Sequence, residues 1–125
     1  MATILILEDD MSLLRLYTKA TKSAGYTVIS VSSLLGALTA MNHNMVDVCI
    51  SDIRLDDADP STVIKRMGRA QERQKIPVVM ISAHMDMYLH ECEAAGLTHY
   101  LQKPFSHTEL ISLINVLMQD KPEQS

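Results

Sequence analysis

Apolar residues along the chain fall into two alternating kinds of stretch. Short unbroken runs at Thr3 to Leu7, Tyr26 to Val31, Val46 to Asp52, Ile76 to Ile81 and Thr98 to Leu101 are mostly apolar or β-branched. All five read as strands, and the run ending at Asp52 as one covered on both faces, the kind that builds parallel sheets. Between them the apolar spacing widens to three and four, which predicts helices. The first helix runs roughly from Met11 to Ala24, with Leu13, Leu16, Ala20 and Ala24 as its apolar stripe and Gly25 as its stop. Ser32 or Ser33 caps a second, which carries Leu34, Leu35, Leu38 and Met41 and is broken by Asn42-His43-Asn44. Asp59-Pro60 begins a third, because Asp caps and Pro at the first helical position loses no needed hydrogen bond. That helix has the least regular pattern: Gly68 interrupts it, and Gln71 to Lys75 are wholly polar. A fourth covers Asp86 to Ala95 and closes at Gly96. Ser106-His107-Thr108-Glu109 is a capping box, so the last helix starts there and buries Leu110, Leu113, Ile114 and Leu117.

Five strands alternating with five helices through short connections predict an α/β domain, with a parallel sheet, helices on both faces and right-handed crossovers. The 125 residues suit one domain over 1–120 and a short tail over 121–125. With a net charge of −4 and no run of Lys or Arg that gathers into a strip able to neutralise several phosphates in a row, direct binding of nucleic acid by this segment is not expected. Cys49 and Cys92 have no metal-type spacing and read as buried free thiols of a reducing compartment. His90 and Cys92, two apart on a helix, do not share a face, which argues against a metal there. No stretch approaches the ~20 apolar residues of a membrane span, and the chain starts without a basic signal segment. A cytoplasmic protein with no membrane contact is therefore expected.

Chemistry enters at the strand ends. In a parallel sheet, Glu8, Asp9 and Asp10 after the first strand, Asp52 after the third, Ser82 after the fourth and Lys103 after the fifth all emerge at one edge. Carboxylates gathered from distant positions repel one another unless a cation neutralises them. An oxygen-only ligand set open to water suits Mg²⁺, which commonly works beside phosphate. Lys103 adds a fixed positive charge and Ser82 a rotatable donor, so an Asp in this company could carry a phosphoryl group. Ser82 could equally cap the following helix, and Asp10 reads best as a helix N-terminal residue favoured by the dipole.

Taken in order, Glu8-Asp9, Asp52, Ser82-Ala83 and Lys103-Pro104-Phe105 resemble the motif set of the response-regulator receiver domain of two-component signalling. The likeness covers nearly the whole chain. It implies a doubly wound, flavodoxin-like (βα)5 three-layer sandwich with strand order 2-1-3-4-5. By the same resemblance Asp52 is the phosphoacceptor, served by a sensor histidine kinase or a histidine phosphotransfer protein. Asp9 would bind Mg²⁺ directly, Glu8 would act as its companion through water, and the backbone carbonyl of Arg54 would complete the protein's share of the metal shell. Ser82 and Lys103 would hold the phosphoryl oxygens, the Lys103-Pro104 bond would be cis, and Tyr100 would be the aromatic residue that moves inward on switching. Arg54 and His84 occupy positions that tune the lifetime of the phosphoryl group in similar domains.

The resemblance also implies a downstream output domain or protein that reads the surface of the fourth helix, last strand and last helix. Met85, Met87, Tyr88 and Leu89 are candidates for its adaptable part. The domain would be a signalling switch assisting its own phosphorylation, either standing alone or cut from a longer chain such as a hybrid kinase of a phosphorelay. Two departures from the family pattern follow Asp52: similar domains usually have Pro where Asp56 stands and Gly where Pro60 stands. An aspartate-nucleophile phosphatase would need a second acid two residues after Asp52, where this chain has Arg54. A flavin carrier would need more aromatic surface than 4% provides. A receiver-like interaction module that never takes phosphate remains the other open reading.

Overall fold

A computed structural model describes residues 1–119; the tail expected from Lys121 onward lies outside them. Five strands and five helices alternate along the chain. They are β1 (Thr3–Leu7), α1 (Met11–Ser23), β2 (Thr27–Val31), α2 (Leu34–His43), β3 (Val48–Asp52), α3 (Pro60–Gln74), β4 (Val78–Ser82), α4 (Met85–Ala94), β5 (His99–Gln102) and α5 (His107–Gln119). All pairings are parallel, in the order β2-β1-β3-β4-β5. The period of two along each strand splits the core. Leu5, Leu7, Cys49, Val78 and Met80 pack with α2, α3 and α4, whereas Ile4, Ile6, Val48, Ile50, Val79 and Ile81 pack with α1 and α5. Because β1, β3 and β4 are buried on both faces, they had to read as unbroken apolar runs.

Most of the helix starts follow from their caps. Asp10 Oδ1 accepts from the Ser12 and Leu13 amides, Ser33 Oγ from Gly36, and Asp59 Oδ1 from Thr62, with Pro60 opening α3. At α5 the capping box is reciprocal, with the Ser106 amide donating to Glu109 Oε1 and the Glu109 amide to Ser106 Oγ. Gly25 and Gly96, at φ of +99° and +82°, end α1 and α4 in backbone that residues with a Cβ rarely adopt.

Three helix faces differ from the sequence expectation. In α1 the buried stripe is Leu14, Tyr17 and Thr21, while Leu16 and Ala24 are exposed. Thr21 can be buried because its hydroxyl donates to the Tyr17 carbonyl at 2.8 Å, so a residue counted as polar carries no unmet bond. In α2, Leu35 is exposed and Ala37 and Ala40 take the core positions. In α4, Met85 and Tyr88 belong to the core, which leaves only Met87 and Leu89 of the expected adaptable surface exposed.

The irregular α3 runs unbroken over 15 residues. Gly68 is a point of close approach, since a Cβ built there would lie 2.5 Å from the Ala95 carbonyl oxygen at the end of α4. In most helix interiors Gly→Ala stabilises by about 1 kcal/mol. Here Gly68→Ala is expected to destabilise by roughly 1–3 kcal/mol, because α3 must move off α4. Urea unfolding checks this, and a midpoint equal to or above the parent's would contradict it.

Candidate functional site

Parallel topology brings the ends of β1, β3, β4 and β5 to one edge. Leu7 pairs with Ser51, so Glu8 leaves β1 level with Asp52, and Ser82 pairs with Gln102 beside Lys103. Glu8, Asp9 and Asp52 each offer a carboxylate oxygen within 4.8 Å of the others. Opposite corners of a magnesium octahedron lie about 4.2 Å apart, so three oxygen ligands at this spacing fit that ion after a small adjustment. Glu8 and Asp52 are buried, at 1% and 4% exposure, while Asp9 is half-buried.

Lys103 is the counter-charge. Its ammonium donates to Glu8 Oε1 at 2.5 Å and lies 3.4 Å from Asp52 Oδ2, so it is held more closely by Glu8 than by Asp52. The other Glu8 oxygen accepts from the Asp10 amide. Burial, then the hydrogen bond and negative charge of Glu8, push the Asp52 carboxyl up to about 7 against the opposing pull of Lys103. Asp9 is also raised, by burial, Asp56 and Glu8. Burial alone would lower Lys103, but the Glu8 hydrogen bond and the charges of Asp52 and Glu8 outweigh it and raise the ammonium. The cluster therefore holds more negative charge than Lys103 neutralises, which a divalent cation would relieve.

The remaining candidates sit around this centre. Ser82 is buried at the end of β4, and its hydroxyl accepts from the His84 amide at 2.9 Å. That bond occupies a lone pair and leaves the hydroxyl proton free to donate. Arg54 and His84 are exposed, and the His84 side chain makes no cap bond to α4. Tyr100 is half-buried against the core and donates to the Leu97 carbonyl at 2.5 Å. The Lys103-Pro104 peptide is cis. Phe105 stacks on Tyr17 with ring centroids 5.0 Å apart, which joins the segment after Lys103 to α1.

Gln102 and Asp57 were missed in the sequence, and Asp56, already a candidate for tuning the site through its charge, acts also through its backbone. Gln102 accepts from the Met85 amide and donates to the Ala83 carbonyl, so it ties the β4–α4 turn to β5 and supplies the cap that His84 does not. The Asp56 amide donates to Asp9 Oδ2 at 3.1 Å, a bond that Pro at this position could not make. Both oxygens of Asp57 accept from the first turn of α2, at the Leu34 and Leu35 amides. Polar side chains at a strand end or in a loop give no periodic signal, and the nearest hint was the departure from the family pattern at Asp56.

A doubly wound sheet with an acidic pocket and one lysine at its strand ends defines a receiver-type domain. The family model for the response regulator receiver domain matches residues 4–115, and the chain belongs to that family, the receiver domains of two-component response regulators. Among its relatives is the transcriptional regulatory protein GlrR of Escherichia coli K12, 31% identical over 99% of this chain. The chain spans only 27% of that relative's length. Among solved structures, a two-component response regulator from Clostridium difficile superposes with a TM-score of 0.86 over 96% of this chain and 98% of that one; at 19% identity it shows the fold alone. The receiver domain of a Pseudomonas aeruginosa sensor histidine kinase, with magnesium coordinated in its active-site cleft, has a TM-score of 0.82 and 26% identity over 95% and 98% of the two chains. Among the described residues no helix is long and apolar enough to cross a membrane.

Proposed function

We propose that the chain is a phosphorylation-controlled switch in which Asp52 accepts a phosphoryl group from a histidine of a partner kinase or phosphotransfer protein. The observation that carries this reading is the Lys103 ammonium 3.4 Å from Asp52, on the same edge as the three clustered carboxylates. An Asp52 oxygen attacks phosphorus as the phosphorus–nitrogen bond breaks, and the electron pair leaves with the imidazole. Glu8, Asp9, Asp52 and the Arg54 carbonyl are the residues that would hold Mg²⁺, which when bound supplies positive charge for the phosphoryl oxygens. Lys103 pairs with one of those oxygens and Ser82 donates its free proton to another.

Two charge-assisted hydrogen bonds, at roughly 1.5–3 kcal/mol each, together approach the ~5.5 kcal/mol needed to swing a 1:99 population to 99:1. The expected consequence is an inward shift of Tyr100 and a changed surface over α4, β5 and α5, with exposed Met87 and Leu89 meeting the output partner.

Incubation with acetyl phosphate and Mg²⁺, followed by intact-mass analysis, tests the reading. One phosphoryl group should add to the parent and none to Asp52→Asn or to the parent with EDTA. Equal uptake by Asp52→Asn would overturn it. Amide NMR with beryllofluoride and Mg²⁺ that leaves Ser82 and Tyr100 unmoved would instead favour the unphosphorylated interaction module.

The Asp56 departure acts in two separable ways, through its charge on Asp9 and through its amide bond to Asp9. Asp56→Asn removes only the charge, and should speed labelling by the anionic donor several-fold while weakening Mg²⁺ binding. Asp56→Pro removes both. If labelling by Asp56→Asn matches the parent, the charge has no part in donor selection.

A further inference from the structure

A cleft of about 710 Å³ lies between α2 and α3, apart from the residues of the acidic edge. Half-buried Leu38 gives it apolar surface, the buried Ala70 lies at its floor, and Asn42 adds an amide on the α2 side. Four exposed cations line it: Arg66, Arg69, Arg73 and Lys75. Only Lys65-Arg66 are adjacent in the sequence here, so helical spacing rather than a basic run gathers the four. Arg66, Arg69 and Arg73, spaced three and then four apart, share one face of α3, and Lys75 follows at its left-handed C-cap.

Glu72 is the only carboxylate in the lining, and none of the four cations forms an ion pair with a described residue. Four cations thus stand beside one carboxylate in a chain whose net charge is −4. The negative end of the α3 dipole accounts for Arg73 and Lys75, but its influence does not reach Arg66 and Arg69 in earlier turns.

Guanidinium forks match phosphate in a bidentate way, and the cleft volume falls within the ~300–1,000 Å³ of small-molecule sites. We propose that this cleft binds an organic polyphosphate of the nucleoside di- or triphosphate class, with its phosphates among the four cations and its base against Leu38. The site is independent of the phosphoryl chemistry proposed at Asp52.

Titration with ATP in EDTA and moderate salt, followed by amide NMR, tests the proposal with the acidic edge kept free of metal. Saturable shifts are expected at Leu38, Asn42 and Ala70 and not at Asp9, Asp52 or Ser82. Arg69→Gln/Arg73→Gln, with its fold checked by thermal melting, should bind at least tenfold more weakly. Pyrophosphate should bind more weakly than ATP, and adenosine alone not at all. No saturable shift at millimolar ATP, unchanged affinity in the double variant, or polyglutamate binding as tightly as ATP would each overturn the assignment.

Discussion

Lys103→Ala is expected to cost about 3–5 kcal/mol of folding stability at pH 8, the usual penalty for removing one partner of a buried ion pair. The ammonium is the one charge holding Glu8 and Asp52 together, and both carboxylates are nearly inaccessible to water. Without it they face each other unneutralised. The cost should shrink at pH 6, where Asp52, already pushed up to about 7, escapes by taking a proton. Mg²⁺ at millimolar concentration should restore part of the loss at pH 8. Urea unfolding at the two pH values, with and without the metal, reads all of this. A midpoint at pH 8 equal to the parent's would show that the Lys103 pairs contribute nothing to the fold.

The second large effect is the pH dependence of the metal-free protein. Asp52 titrates near 7 when folded, against 3.8 for an ordinary aspartate, so folding favours its protonated form. A carboxyl raised in this way gives stability that is fully present below about pH 4 and is lost as pH climbs through 7. Asp9 is raised as well and acts in the same direction, whereas Asp59, lowered by the Thr62 amide bond, acts oppositely and only at acid pH. After allowance for solvent screening, Asp52 should remove on the order of 1–3 kcal/mol between pH 4 and 8. In EDTA, Asp52→Asn should therefore be more stable than the parent at pH 8 and should flatten the pH profile. If the parent grows more stable over that range, or the variant follows the same curve, Asp52 is not strained by its surroundings.

The strands were legible in the sequence because a sheet covered on both faces admits nothing but apolar residues over its middle strands. Val48 to Ile50 and Val78 to Ile81 could not be mistaken, and their shared direction then placed Glu8, Asp9, Asp52, Ser82 and Lys103 on one edge. The helix faces were less legible. The stripe of α1, read through Leu13, Leu16, Ala20 and Ala24, was placed one residue away from the buried Leu14, Tyr17 and Thr21, because Thr21 is buried by donating its hydroxyl to a carbonyl of its own helix. Gly68 looked like a break because close packing between α3 and α4 is a tertiary fact with no local signature. Within the site, residue type and order marked the acids and the lysine. The preference of Lys103 for Glu8 and the work of Gln102 depend on side-chain reach, which linear spacing does not encode.

The grip of Asp57 on α2 carries a consequence for how events at Asp52 spread. Asp52 closes β3 and Asp57 lies five positions on in the loop that follows, with both of its oxygens engaged by the Leu34 and Leu35 amides. A rearrangement that draws the loop toward a newly charged Asp52 would slacken the start of a helix that lies on the same face of the sheet as α4, with α3 packed against both. Faster deuterium uptake at Leu34 and Leu35 would then report the chemistry from a face that no partner of α4, β5 and α5 needs to touch. The protein would have two outlets for one signal, and a ligand settled between α2 and α3 would sit beside the second.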